Sequence, residues 1–124
     1  MKTNRLEVMI DDPISSVFEF TLDPKYRKSW IPNLGEETVD SSVIGLGTKY
    51  QNDVGTYLVT DYEKNVFMEL SSTKSSYICS YSFREHEKQT KITYFEYMED
   101  GSELDSPILE SSFTTLKELI ETNN

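Results

Sequence analysis

The sequence predicts an α+β domain in which one long helix lies across a strongly bent antiparallel sheet. Three observations point there. Apolar residues recur at helical spacing near both ends of the chain, and at every second position between Gly35 and Asp100. The strand-like segments follow one another without helices between them, which separates α+β from alternating α/β. The breaks between those segments are short and rich in turn formers, as hairpin connections require. With 124 residues and no repeat, low-complexity stretch or linker, the chain is expected to form a single domain over residues 1–124.

The elements follow in order. Thr3–Ile10 reads as a first strand. Asp12-Pro13, Asp23-Pro24 and Ser106-Pro107 each set a side-chain acceptor before a proline. That pairing suits an N-cap followed by the first helical residue, where the missing proline N–H costs nothing. The first helix is expected from Pro13 to about Leu22, with Ile14, Val17 and Phe18 on one stripe. The second is expected from Pro24 to Trp30, with Tyr26 and Trp30 one turn apart and Pro32 as its stop. In the middle, Thr48, Tyr50, Asn52 and Val54 alternate with polar neighbours, as do Val66, Met68 and Leu70. The clearest alternation is Tyr77, Cys79, Tyr81 and Phe83 against Ile78, Ser80, Ser82 and Arg84. These are half-buried strands with one packed face, about seven in all with the first. The last helix, Pro107 to about Thr122, aligns Leu109, Phe113, Leu116 and Ile120 into the broad apolar face of a helix lying on a sheet.

Charge narrows the partners. Asp and Glu total 22 against 12 Lys and Arg, a net of −10. Such a surface repels a phosphate backbone, which argues against nucleic acid, and it argues equally against an anionic membrane. No run of apolar residues is long enough for a membrane span, and the first residues lack the apolar core of a signal peptide. A cytoplasmic protein is expected. Small neutral, apolar or cationic ligands stay open.

The order of elements resembles the helix-grip fold of the birch-pollen-allergen/START superfamily, also called SRPBCC. The local resemblance lies in Asp12-Pro13…Val17-Phe18…Leu22-Asp23…Trp30-Ile31-Pro32 and in Val43-Ile44-Gly45-Leu46-Gly47-Thr48. It continues in Thr60-Asp61-Tyr62-Glu63 and Thr90-Lys91-Ile92-Thr93-Tyr94. Members of that superfamily bind lipids, sterols, polyketides and hormones. Some are cyclases or dehydratases, and some assist chaperones. Members are usually longer than this chain. A last helix of roughly 16 residues spans about 24 Å, against roughly 30–34 Å for a nine- or ten-residue strand. The expected pocket is therefore small or open at one end.

Few residues carry an obvious chemistry. His86, the only histidine, falls in a charged hairpin turn that encloses no site. Cys79, the only cysteine, shares a strand face with Tyr77 and Tyr81 and reads as a small core hydrophobe. It excludes an intrachain disulfide, and no metal-ligand spacing or cofactor motif is present, so neither metal nor cofactor is expected. Gly45-Leu46-Gly47 is followed by a strand and reads as a turn, not a phosphate cradle.

Eight tyrosines stand beside six phenylalanines and one tryptophan. Tyr50, Tyr77, Tyr81 and Tyr94 fall on inward strand faces. Two readings follow: phenols facing a cavity with water or ligand, or ordinary sheet packing with each hydroxyl reaching a partner. If Ile92 and Tyr94 point inward, alternation carries Glu96 inside with them. There it would be desolvated and could serve as acid, base or ligand anchor. The opposite register would bury Phe95 and Tyr97. The first is adopted because it leaves Lys91 outside, and it turns Phe95 and Tyr97 into a candidate homodimer surface. In the resembled fold the region of Trp30 lies near a pocket entrance, and a tryptophan plugging the core beneath a short helix is an equally ordinary reading.

The expected function is binding of a small, largely apolar molecule between the bent sheet and the C-terminal helix. Trp30, Tyr50, Tyr77, Tyr81, Phe83, Tyr94, Glu96 and Phe113 are its candidate ligand-binding residues. One alternative is a cyclase- or dehydratase-like enzyme using Glu96 and a tyrosine. A second is a protein-interaction module without a ligand.

Overall fold

A computed structural model describes residues 1–122. Strand β1 (Thr3–Ile10) is followed by helices α1 (Ile14–Leu22) and α2 (Pro24–Arg27). Strands β2 (Thr38–Val39), β3 (Lys49–Gln51), β4 (Thr56–Glu63), β5 (Phe67–Ser72), β6 (Tyr77–His86) and β7 (Gln89–Met98) come next. Helix α3 (Glu110–Thr122) ends the fold. The seven strands form one sheet in the order β1-β7-β6-β5-β4-β3-β2, and every neighbouring pair is antiparallel.

Each hairpin from β4 to β7 joins strands adjacent in sequence, and the chain closes the sheet by pairing β7 with β1. Asn65 and Glu87 take positive φ at two of these tight turns. Along β4 the register shifts between Val59 and Asp61, a bulge that increases local twist. The inward faces of β5, β6 and β7 carry Met68 and Leu70, then Cys79, Tyr81 and Phe83, then Thr90, Ile92, Tyr94 and Glu96, all buried. Against them α3 packs Phe113, Leu116 and Ile120, and α1 packs Val17, Phe18 and Leu22. Lys117 Nζ donates to Met9 O and Leu104 N–H donates to Met1 O. These contacts cover both ends of the edge strand β1, whose free backbone groups would otherwise invite pairing.

The helix starts depart from expectation at two of three prolines. Asp23 does cap α2, accepting from Lys25 N–H at 2.9 Å. Asp12 caps nothing. Pro13 is itself the flanking residue of α1, without a side-chain cap, and the Asp12 carbonyl accepts from Thr90 Oγ1. Helix α3 begins at Glu110, not Pro107, because the preceding backbone is engaged elsewhere. Ile108 N–H donates to Glu96 at 2.8 Å, and Asn4 Nδ2 donates to Ile108 O at 2.9 Å. Leu109, expected on the buried face of the helix, is 64% exposed. Helix α2 stops at Arg27, and the chain reaches Trp30 through turns. Val54 and Val66, expected inward, are exposed at hairpin ends.

Candidate functional site

The space between the sheet and α3 is filled by aromatic rings. Trp30 lies 5.2 Å from Phe113 and 6.4 Å from Tyr81, centroid to centroid. Tyr94 lies 5.1 Å from both Tyr81 and Phe113. Phe83 meets Phe18 edge-to-face at 4.8 Å. Separations and tilts of this kind are the favoured ones for aromatic pairs.

Tyrosine hydroxyls in this region have partners within the protein. Tyr50 donates to Leu22 O at 2.6 Å. Tyr81 accepts from Arg27 at 3.1 Å. Tyr77 donates to Glu96 at 2.6 Å and sits 3.1 Å from the Tyr94 hydroxyl. Of the two readings of these phenols, satisfied sheet packing describes the geometry. Burial is the main reason that Tyr50, Tyr77, Tyr81 and Tyr94 hold their protons well above the usual phenol range. The same burial pushes the Cys79 thiol up to about 11, so at neutral pH it is an inert thiol.

A buried ion pair lies beside the rings. Arg27, at the end of α2, donates from Nε to Glu37 at 2.7 Å. Its guanidinium lies over the rings of Tyr50 and Tyr81, at 5.2 and 5.9 Å. Glu37 also accepts from Asn52 Nδ2 at 2.8 Å. Burial alone would favour a neutral guanidinium, but Tyr81 and Glu37 outweigh it and hold Arg27 firmly charged. The pair ties the α2–β2 connection to the concave side of the sheet. Neither Arg27 nor Glu37 was singled out from the sequence; both fall in or after a short helix read only from Tyr26 and Trp30.

Glu96 points inward and is 2% exposed. Asn4 Nδ2 at 2.7 Å and Ile108 N–H at 2.8 Å both donate to Oε2, while Tyr77 donates to Oε1. The carboxylate thus joins β1, β6, β7 and the segment leading into α3. It is a structural latch with its oxygens occupied. Glu96→Gln would turn an amide N–H₂ toward at least one of these donors and should cost about 1–3 kcal/mol. Urea melts would measure it, and ligand binding should be unaffected.

Open clefts lie elsewhere on the surface of the described residues. One, of about 550 Å³, lies between α1, the β2–β3 loop and the β4–β5 turn. Phe18, Leu22, Val39, Ile44 and Tyr62 give it an apolar floor, and Glu19, Asp23 and Lys64 stand at its rim. Val43, also in its wall, is 77% exposed. The volume falls within the range of small-molecule sites, about 300–1,000 Å³. None of the eight candidate residues lines this cleft. It lies at the Phe83 end of the sheet, and Glu96 is four residues beyond Phe83's partner Ile92, about 13 Å along the strand. The second cavity, about 380 Å³, is shallower and includes Trp30 in its wall.

The remaining residues are easily placed. His86 is exposed at the end of β6. Phe95 and Tyr97 lie on the sheet face away from α3, half-buried, with rings 5.4 Å apart. Among the described residues, no three His, Cys, Asp or Glu side chains converge as metal ligands, and no helix is long and apolar enough to cross a membrane.

The architecture is shared with solved structures of low sequence identity. Protein NE0264 from Nitrosomonas europaea matches with a TM-score of 0.74 at 12% identity, covering 99% of this chain and 96% of that one. CalU16 from Micromonospora echinospora matches at 0.72 and 14% identity, covering 98% and 77%. Ara h 8.0201 matches at 0.64 and 13%, covering 98% of each chain. The chain has the helix-grip fold. No family model and no curated protein sequence matches it.

Proposed function

We propose that this protein binds a small, largely apolar molecule, and that the ligand sits in the cleft between α1 and the β2–β3 and β4–β5 connections. The observation that carries this reading is the apolar floor of a cavity of about 550 Å³. Support comes also from the helix-grip fold, which is a ligand-binding fold. Removing ligand surface from water over Phe18, Leu22, Val39, Ile44 and Tyr62 would supply most of the affinity. The rim offers two carboxylates and one ammonium, which favours neutral or cationic ligand ends over anionic ones.

In this reading Trp30, Tyr50, Tyr77, Tyr81, Phe83, Tyr94 and Phe113 hold the scaffold behind the cleft and do not touch the ligand. The cyclase-like alternative loses its acid–base group, because Glu96 is committed to three internal donors away from the cleft.

The test is a thermal-shift screen of fatty alcohols, fatty acids and aromatic polyketide-like compounds, followed by titration of the strongest binder. Val43→Asp removes an exposed apolar contact without touching the core. It should leave the melting temperature of the free protein unchanged and weaken binding about tenfold, or roughly 1.4 kcal/mol. Unchanged affinity in this variant would move the ligand elsewhere.

A further inference from the structure

The outer face of the sheet, away from α3, breaks the alternation that makes such a face polar. Met9, Leu58, Phe67, Ile78, Phe95 and Tyr97 point outward from five strands. None of them belongs to the interior core or to the shell packed against it. Tyr97 stands directly opposite Ile78, and Phe95 opposite Ser80. Ile78 is only 7% exposed although it faces this side, so apolar neighbours already cover it. Small hydroxyl residues, Ser71, Ser80, Ser82 and Thr93, fill the positions between and let another surface approach closely.

Charge on this face is sorted by strand. On β6 and β7, Arg84 stands directly opposite Lys91. On β5 and β4, Glu69 stands directly opposite Asp61, with Glu63 two residues along the strand. Like charges in cross-strand register destabilise a sheet, so neither pair serves the fold of a single chain. Lys91 is relieved by Glu7 at 2.6 Å. Arg84, Asp61, Glu63 and Glu69 form no ion pair among the described residues. One face thus holds a basic patch and an acidic patch, each lacking counter-charge, with exposed aromatic surface beside them.

We propose that this face is a self-complementary interface and that its occupant is a second copy of the chain. A two-fold axis in the plane between the copies, midway between the patches, exchanges them. It sets the Arg84–Lys91 pair of each copy over the Asp61–Glu69 pair of the other, while Phe95 and Tyr97 lose their contact with water. Burial of the rings supplies affinity, and the crossed charges fix the register. Five strands and four alternate rows of side chains span roughly 24 by 27 Å, or about 650 Å² per copy. A standard interface takes roughly 800 Å² per partner, so a weak dimer is expected, dissociating in the tens of micromolar. The net charge of −10 on each copy opposes approach at long range, but physiological salt screens it beyond about 8 Å. The interface does not depend on the cleft beside α1, and each can fail without the other.

The experiment is sedimentation velocity of the full chain from micromolar to millimolar concentration, with circular dichroism to confirm that each variant is folded. The wild type should pass from monomer to dimer. Arg84→Glu and Asp61→Lys, both at exposed positions, should each weaken dimerisation about tenfold or more. Glu63→Lys reverses the acidic patch from a second exposed position and should act alike. An equimolar mixture of Arg84→Glu with Asp61→Lys should recover the dimer, because each reversed charge then meets its opposite across the interface. Damage within one chain would not be repaired by mixing. Phe95→Thr keeps a good strand former and should weaken the dimer about tenfold. A chain that stays monomeric at millimolar concentration overturns the proposal and leaves the face to a different partner. A dimer that these substitutions leave intact, or a mixture that recovers nothing, overturns it as well.

Discussion

Arg27→Ala should destabilise the protein by about 3–5 kcal/mol, the usual cost of stripping one partner from a buried ion pair. The alanine removes the guanidinium but leaves Glu37, whose side chain has no exposed surface, with Asn52 as its only remaining side-chain partner among the described residues. The Tyr50 and Tyr81 rings lose the cation they flank. A loss of that size is a large share of the roughly 5–15 kcal/mol that holds a domain together. Arg27→Met with Glu37→Leu removes both charges while keeping volume, and should cost far less than Arg27→Ala alone. Urea melts of the single and double variants give the comparison. A cost below about 1 kcal/mol for Arg27→Ala would mean that water reaches Glu37 readily.

The second large effect lies at Phe113. Its ring touches both Trp30 and Tyr94 and is almost completely buried. Phe113→Ala should therefore cost about 3–5 kcal/mol, the transfer loss of the ring plus the cavity it leaves. Phe113→Trp should cost about 1–3 kcal/mol, because its extra atoms have no empty space to enter. An open pocket under α3 would give the opposite result: a small loss for alanine and tolerance of tryptophan. Denaturant midpoints at unchanged slope separate the two.

Much of the fold was legible from periodicity. The alternation of Tyr77, Cys79, Tyr81 and Phe83 is reproduced by β6, and the order of elements was readable because each strand ends at a turn-forming cluster. Helix starts were harder. The same acidic residue-proline pair caps at Asp23 and not at Asp12, since tertiary contacts decide which acceptor the backbone meets. The start of α3 was hidden for a similar reason. Glu96 claims the Ile108 N–H, a contact twelve residues distant in sequence.

The site was less legible than the fold. Alternation places side chains on a face, but does not say whether the opposing layer leaves room. The side chains that close the interior come from the irregular connection after α2, where Trp30 and Glu37 obey no period. The cleft likewise joins residues from α1, β4 and a loop, with Phe18, Ile44 and Tyr62 each ordinary in its own segment. Val43 and Ile44 carried the one readable hint, an apolar pair in a glycine-containing loop.

Ligand position is the direct test of the account. Intermolecular NOEs between the strongest binder from the screen and methyl-labelled protein would locate it among side chains from every element. NOEs are expected to Leu22, Val39, Val43 and Ile44, which line the open cleft, and none to Leu116 or Ile120 beneath α3. NOEs to Leu116 and Ile120, with the cleft methyls silent, would place the ligand inside the packed core and contradict it.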